Sequence, residues 1–203
     1  MPDVRPGHPV PPPGAGAAFV HPQALCENES IGDGTRVWAF VHILAGAIVG
    51  SDCNLCDHVF VEGGARIGNN VTIKNGVQIW DLVTLEDDVF IGPNATFTND
   101  LRPRAFIKRP SSELLPTVVR RGATIGANAT VVCGTTVGPE AFVAAGAVVN
   151  RDVPGHGLVA GNPARRIGWV CTCATRLPAS LVCGDCGRRF RMLDDQSGLA
   201  PLG

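Results

Sequence analysis

From Leu25 onward an apolar residue returns every sixth position, at Leu25, Ile31, Val37, Ile43, Val49, Leu55, Val61, Ile67, Ile73, Ile79, Leu85, Ile91 and Phe97. After an interruption the register resumes at Val119, Ile125, Val131, Val137, Val143 and Val149. A helix asks for apolar spacing near about 3.6 residues and a flat strand for about 2, so a strict six fits neither. The fourth residue after each of these positions is small (Ala, Val, Thr or Cys), with only Glu29 and Leu101 as exceptions. One large and one small inward position per hexad describe short strands joined by sharp corners. Gly32, Gly50 and Gly68 add a beat of 18, as expected if three hexads close one triangular coil. The repeat predicts about six such coils, stacked about 4.8 Å apart by strand pairing. The chain should therefore be an all-β parallel β-helix. Repetition of this kind specifies a fold, since solenoids also serve as structural or ice-binding proteins.

Composition narrows the partners. The 17 basic and 18 acidic side chains nearly cancel, which argues against nonspecific binding to nucleic acid or to an anionic membrane. No apolar run is long enough to span a bilayer, and the N-terminal stretch has no signal-peptide pattern, so a cytoplasmic protein is expected. Residues 1–18, rich in Pro, Gly and Ala, read as a disordered arm. Residues 19–168 read as the β-helix, 169–195 as a small module and 196–203 as a tail.

Residues 101–118 break the repeat in mid-solenoid, and irregular insertions of that length tend to carry function. The loop holds Arg102, Arg104, Lys108 and Arg109 against the single acid Glu113, with Arg120 and Arg121 following. Such charge suits a phosphate-bearing substrate or, equally, a solvated loop packed on a neighbouring subunit. Just before it, Asp81 and Asn99 are 18 apart and should share a corner of successive coils, with Asp100 next. A carboxylate stacked on a carboxamide can hold an amine and a sugar hydroxyl, or can bond its own turn. Glu86, Asp87 and Asp88 read as a solvated acidic corner.

Three segments carry a family resemblance: TRVWAFVHI at 35–43, GVQIWDLVTLEDDVFIGPNATFTND at 76–100 and AAGAVVNRDVPGHGLVAGNPARRIG at 144–168. Over about residues 19–170 the chain resembles the left-handed β-helix nucleotide-sugar 3-N-acetyltransferases, which acetylate UDP- or dTDP-linked 3-amino sugars with acetyl-CoA. The resemblance implies the left hand of the coil and a homotrimer with active sites between subunits. It also implies Asn99 as the active-site Asn, with Asp81 and Asp100 holding the amino sugar. Asp81 or Asp100 could accept the amine proton, with His42 a weaker candidate, and His42 and Arg104 are candidates for substrate contact. Two departures stand out: Val37, Trp38, Ala39 and Phe40 replace a common IWHF, and Gly63 and Gly64 replace a common Asn-Asp pair.

Pantetheine is narrow and carries two amides, so it favours a groove of small residues with reachable backbone. Ala127 and Ala145, 18 apart, with Asn162 and Pro163 at the solenoid end, match that groove by resemblance, and tight trimer packing explains the alanines nearly as well. Arg165 and Arg166 could hold the nucleotide phosphate or form a solvated edge.

Cys171, Cys173, Cys183 and Cys186 form C-x-C-x9-C-x2-C, two close pairs suited to a tetrahedral zinc ribbon with no open position for catalysis. A segment this short cannot build a sufficient core, and zinc binding would supply the missing stability. Cys53 and Cys56 lie inside the repeat and read as packing.

Two other classes remain. A γ-type carbonic anhydrase needs several His at an interface, and only His42 and His58 lie in the coils, off the 18-residue register. A non-enzymatic β-helix scaffold with a zinc-ribbon docking module would show no stabilisation by acetyl-CoA or a nucleotide sugar.

Overall fold

In the computed structural model, which describes residues 16–27, 30–194 and 197–202, the hexads form a parallel β-helix of left-handed type with three faces. The expected arm lies largely outside the described residues. Face A stacks Phe19–Val20, Arg36–Val37, Asn54–Leu55, Thr72–Ile73, Phe90–Ile91, Thr124–Ile125, Phe142–Val143 and Gly157–Ala160 in parallel. The antiparallel strand Arg165–Trp169 closes this nine-stranded sheet. Face B runs from Leu25–Cys26 through His42–Ile43, Phe60–Val61, Gln78–Ile79, Thr96–Phe97 and Thr130–Val131 to Val148–Val149. Face C stacks Ile48–Val49, Arg66–Ile67, Val83–Leu85, Thr117–Val119 and Thr136–Val137.

Register follows the hexad. Asn54 pairs with Thr72 and Phe60 with Gln78, each 18 residues apart. The large inward residues stack on one another, and the small fourth residues, from Val41 and Ala47 to Ala141 and Ala147, are fully buried beside them. Many corners place a residue in the left-handed region, where the chain supplies Gly or accepts Asn and Asp, as at Asn70, Asp88 and Asn94, and also holds Phe40, Leu82 and Glu140.

The structure corrects the repeat at both ends. About eight coils are present rather than six, because Phe19–Val20 adds a level below the repeat and Gly157–Ala160 one above it. The first coil is one residue short: Cys26, not Leu25, pairs with the inward Ile43, and Leu25 pairs with His42 and lies 55% exposed. A single-residue slip reverses which side chain points inward. The interruption ends earlier than read, since Thr117 is already in a strand. Leu101 fails the small-inward rule because it has left the coil and is exposed.

Among the described residues Phe97 is the largest fully buried side chain, and it sits just before the loop. Phe97→Ala should cost about 3–5 kcal/mol, because the stacked neighbours cannot collapse into the hole. Denaturant melts of the two proteins would measure it.

The segment after the solenoid is a separate small core of Cys171, Leu177, Cys183, Phe190 and Leu199. The residues expected as a tail are part of it: Gly198–Leu202 pairs antiparallel with Arg189–Asp194, and Leu199 is buried. Gly198 also bridges to Gly155 of the last coil, and the buried His156 ring packs on Phe190 at 4.9 Å. The Nδ1–H of His156 donates to the Val170 carbonyl at 3.0 Å. Burial lowers the pKa of His156, so the neutral ring is the form that fits this contact.

Candidate active site

The corner between faces B and C carries Gly63 and Gly64, then Asp81 and Leu82, then Asn99 and Asp100 on successive coils. Asp81 and Asn99 thus share one edge of the prism, as the spacing of 18 requires. The Asp81 backbone N–H donates to Glu62 Oε2 at 2.7 Å, and Asp81 Oδ1 accepts from the Leu82 N–H at 2.7 Å. That second bond, to the N–H of the next residue, holds the carboxylate against its own backbone. Asp81 Oδ2 has no protein hydrogen bond among the described residues, so it is the oxygen left for a ligand.

The two glycines that replace an Asn-Asp pair have a steric explanation. A Cβ on Gly63 would stand 2.4 Å from the Ala45 carbonyl oxygen, and one on Gly64 would fall 2.0 Å from Asp81 Oδ1. Gly63 lets the corner approach the coil below, and Gly64 leaves the space that the Asp81 carboxylate fills. If Asp81 holds the amino sugar, as the resemblance implies, Gly64→Ala should displace that carboxylate and raise KM for the sugar about tenfold or more, with the KM for acetyl-CoA unchanged. Steady-state kinetics on both substrates would test it.

The loop leaves this edge at Asn99 and returns at Leu115, whose N–H donates to the Asn99 carbonyl at 3.3 Å and closes the neck. Asp100 Oδ1 caps the first loop turn by accepting from the Arg102 N–H at 2.7 Å, and its Oδ2 lies 3.7 Å from Arg109 Nε. Arg109 also pairs with Glu113 at 3.0 Å. Asp100 thus shapes the loop, while Arg102 and Arg104 remain exposed. Arg120 pairs with Glu86 at 2.6 Å, and Arg121 with Asp87 and Asp88 at 2.5 and 3.0 Å. The acidic corner is therefore an ion-paired seam rather than a merely solvated one, and these two arginines are spent on it.

His42 is not brought to this corner within one chain. Its strand is two levels below that of Asp81 and three below that of Asn99, about 14 Å along the axis from the latter. It pairs with Glu27 at 3.0 Å and meets Phe60 edge-on at 5.6 Å.

The small-residue column occupies a different edge, between faces A and B. Pro93, Ala127 and Ala145 stack there beside Gly92 and Gly126, with the Asn128 N–H donating to the Pro93 carbonyl and the Gly146 N–H to the Ala127 carbonyl, both at 2.9 Å. Gly161, Asn162 and Pro163 continue the edge through the bond from the Val148 N–H to the Gly161 carbonyl, 2.9 Å. At the open end of the solenoid a cleft of about 560 Å³ is lined by Arg151, Asp152, Pro154, Ala164, Arg165 and Arg166, among others, with Arg151 on the B/C edge two coils above Asn99. Three guanidinium groups against one carboxylate make it suited to a phosphate. Asp152 Oδ1 is already engaged by the Thr136 N–H at 2.7 Å. Spacing alone did not reveal Arg151 as a member of this cleft.

The four cysteines of the C-terminal module converge, with all Sγ atoms within 4.8 Å of one another and three contacts at 3.4–3.5 Å. A tetrahedron with bonds of about 2.3 Å places its sulfurs about 3.8 Å apart, and a disulfide would bring them to about 2.05 Å. The cluster fits a structural zinc ion and not a pair of bridges. The thiols are not equivalent: burial pushes Cys171 up to about 12, while hydrogen bonding to the Thr175 side chain brings Cys173 down to about 6. Arg188 Nη1 lies 3.5 Å from Cys186 Sγ and offsets part of the thiolate charge. Cys53 is buried in the coil, consistent with packing.

Comparison with known proteins fits this architecture. Residues 64–99 match the family model for bacterial transferase hexapeptides (six repeats), and residues 116–151 match that for the hexapeptide repeat of succinyl-transferases. The dTDP-3-amino-3,6-dideoxy-alpha-D-galactopyranose 3-N-acetyltransferase of Aneurinibacillus thermoaerophilus is 50% identical over 179 residues, 87% of this chain and 92% of that protein. The chain belongs to the hexapeptide-repeat nucleotide-sugar 3-N-acetyltransferases. It is accordingly an acyltransferase, which sets aside the bare scaffold. A hexapeptide-repeat acetyltransferase of Vibrio cholerae O1 biovar eltor, solved with acetyl coenzyme A, superposes with a TM-score of 0.52 at 30% identity, covering 62% of this chain and 71% of that one. A Bacillus cereus N-acyltransferase variant, solved with dTDP and coenzyme A, shares the fold at a TM-score of 0.54 and 14% identity, covering 75% and 82%.

Proposed function

We propose that the protein transfers the acetyl group of acetyl-CoA to the 3-amino group of a dTDP-linked 3-amino sugar. The observation that carries this reading is identity along nearly the whole length of a dTDP-amino-sugar 3-N-acetyltransferase. The site geometry supports it. Asp81 Oδ2 and the Asn99 carboxamide orient the amine and a neighbouring hydroxyl, and the exposed Arg102 and Arg104 lie where the loop can meet a diphosphate. Ala127, Ala145, Asn162 and Pro163 form the pantetheine track, and Arg151, Arg165 and Arg166 hold the phosphorylated end of the donor.

The reaction needs a neutral amine close to a thioester carbonyl. The nitrogen attacks, the C–N bond forms, the C–S bond breaks, and the amine proton ends on the departing coenzyme A thiolate. Asp81 and Asn99 act first as positioning groups, and alignment of the two reactants supplies most of the acceleration.

The pantetheine column and the acceptor groups lie on different edges of the prism, separated by face B, up to about 20 Å of extended chain. They meet if one subunit's A/B edge faces another's B/C edge, which is the reason to propose a homotrimer with composite sites. His42, Phe60 and Trp80 then fall on the intervening face, at the subunit boundary. Among the described residues no helix is long and apolar enough to cross a membrane. We place the protein in the cytoplasm, where the four zinc-ligating thiols stay reduced.

The test is a screen of dTDP- and UDP-linked 3-amino sugars, following coenzyme A release. The expected result is release with a dTDP-3-amino sugar at least tenfold faster than with its UDP counterpart. Release at the rate of thioester hydrolysis, whatever the sugar, would overturn the proposal.

A further inference from the structure

The strand Arg165–Trp169 joins the cleft to the cysteine module, and its pairing with Gly157–Ala160 is irregular. Arg166 is opposite Val159 and Gly168 opposite Leu158, so Ile167 is an extra residue, a bulge next to Arg166. A bulge leaves backbone groups unpaired and re-aims the neighbouring side chains. Here the orphaned Ile167 carbonyl accepts from Arg176 Nη2 at 2.7 Å, and Arg176 lies between the two cysteine pairs. Gly168 makes room for it: a Cβ there would stand 3.1 Å from Arg176 Nε. The same module extends the strand edge, the Leu177 N–H donating to the Trp169 carbonyl and the Cys171 N–H to the Thr175 carbonyl.

A second link runs through Trp169. Its ring packs against the module's core of Cys171, Leu177, Cys183, Phe190 and Leu199, and the Arg166 guanidinium stacks on it at 4.3 Å from the centroid. Two ligand cysteines are members of that core, so the position of the ring depends on the cluster being closed.

We infer that Arg176 and Trp169 are positioning residues for donor binding, and that metal binding by the four cysteines sets affinity for the phosphomonoester on the nucleotide end of coenzyme A. Arg176 holds the bulge and Trp169 holds the guanidinium, so that Arg165 and Arg166 line the cleft beside Arg151. The inference rests on the donor placement proposed above and assigns the module a role in binding rather than in docking another protein.

The experiment is calorimetric titration of the zinc-loaded full chain with coenzyme A and with 3′-dephospho-coenzyme A. The wild type should prefer coenzyme A by at least tenfold. Arg176→Ala should cut that ratio to below about threefold while affinity for the dephospho form changes little, and Arg176→Lys should recover part of it. Trp169→Leu keeps an apolar core residue but removes the cation–π contact, and should also lower the ratio, so the outcome does not hang on one variant folding. Chelation should act in the same direction. Unchanged ratios in Arg176→Ala and Trp169→Leu would overturn the inference. Equal affinity of the wild type for both ligands would overturn it while leaving the transferase reading intact; no affinity for either would remove the donor placement itself.

Discussion

Asn99→Ala should lower kcat/KM for acetyl transfer by on the order of 100-fold, the cost of misplacing a reacting nitrogen by about an ångström or losing one oriented donor. The substitution leaves the fold in place, because the loop neck is closed by the Asn99 carbonyl and the Leu115 N–H, which alanine retains. The loss should appear in kcat and in KM for the amino sugar, not in affinity for acetyl-CoA, since the small-residue column lies on another edge. Steady-state kinetics with each substrate varied separately measure the split. A loss below about threefold would show that Asn99 is only a turn residue.

Removing the metal should unfold the module that follows Trp169 and leave the coils stacked. The module buries only a few large side chains, and two of its core members are ligands, so it has little hydrophobic stabilisation to fall back on. Structural zinc contributes about 10–16 kcal/mol in comparable small modules, more than such a core can replace. Cys183→Ser, or chelation, should therefore expose the segment 172–194 to proteases while the stacked coils before it stay protected. A stripped protein whose module resists cleavage as well as the loaded one would contradict this. The buried His156 should become accessible in the same step, because Val170 and Phe190 are its partners.

The coil and the shared edge of Asp81 and Asn99 were legible because both depend on one local period, which each hexad restates. What the period could not carry lies where non-local contacts take over. Phe19–Val20 has no hexad of its own and becomes a strand only because Arg36–Val37 offers it a ladder to join. The inward role of Cys26 depends on a coil one residue short, and the strand at Gly198–Leu202 on a partner and on the Gly155 bridge. Charge had the same limitation: Arg120 and Arg121 read as available cations, but folding puts Glu86, Asp87 and Asp88 against them. The separation of the acceptor corner from the donor column was likewise invisible, since a spacing of 18 places residues on an edge without saying which one.

That separation makes the composite site directly testable. Asn99→Ala should inactivate the acceptor edge, and Ala145→Trp should fill the donor column; each variant alone should be nearly inactive. If every site combines the acceptor edge of one subunit with the donor edge of the next, equal co-expression of the two yields trimers in which about one site in four is intact. The expected activity is about a quarter of wild type. Mixed assemblies no more active than either variant alone would contradict a site shared between subunits.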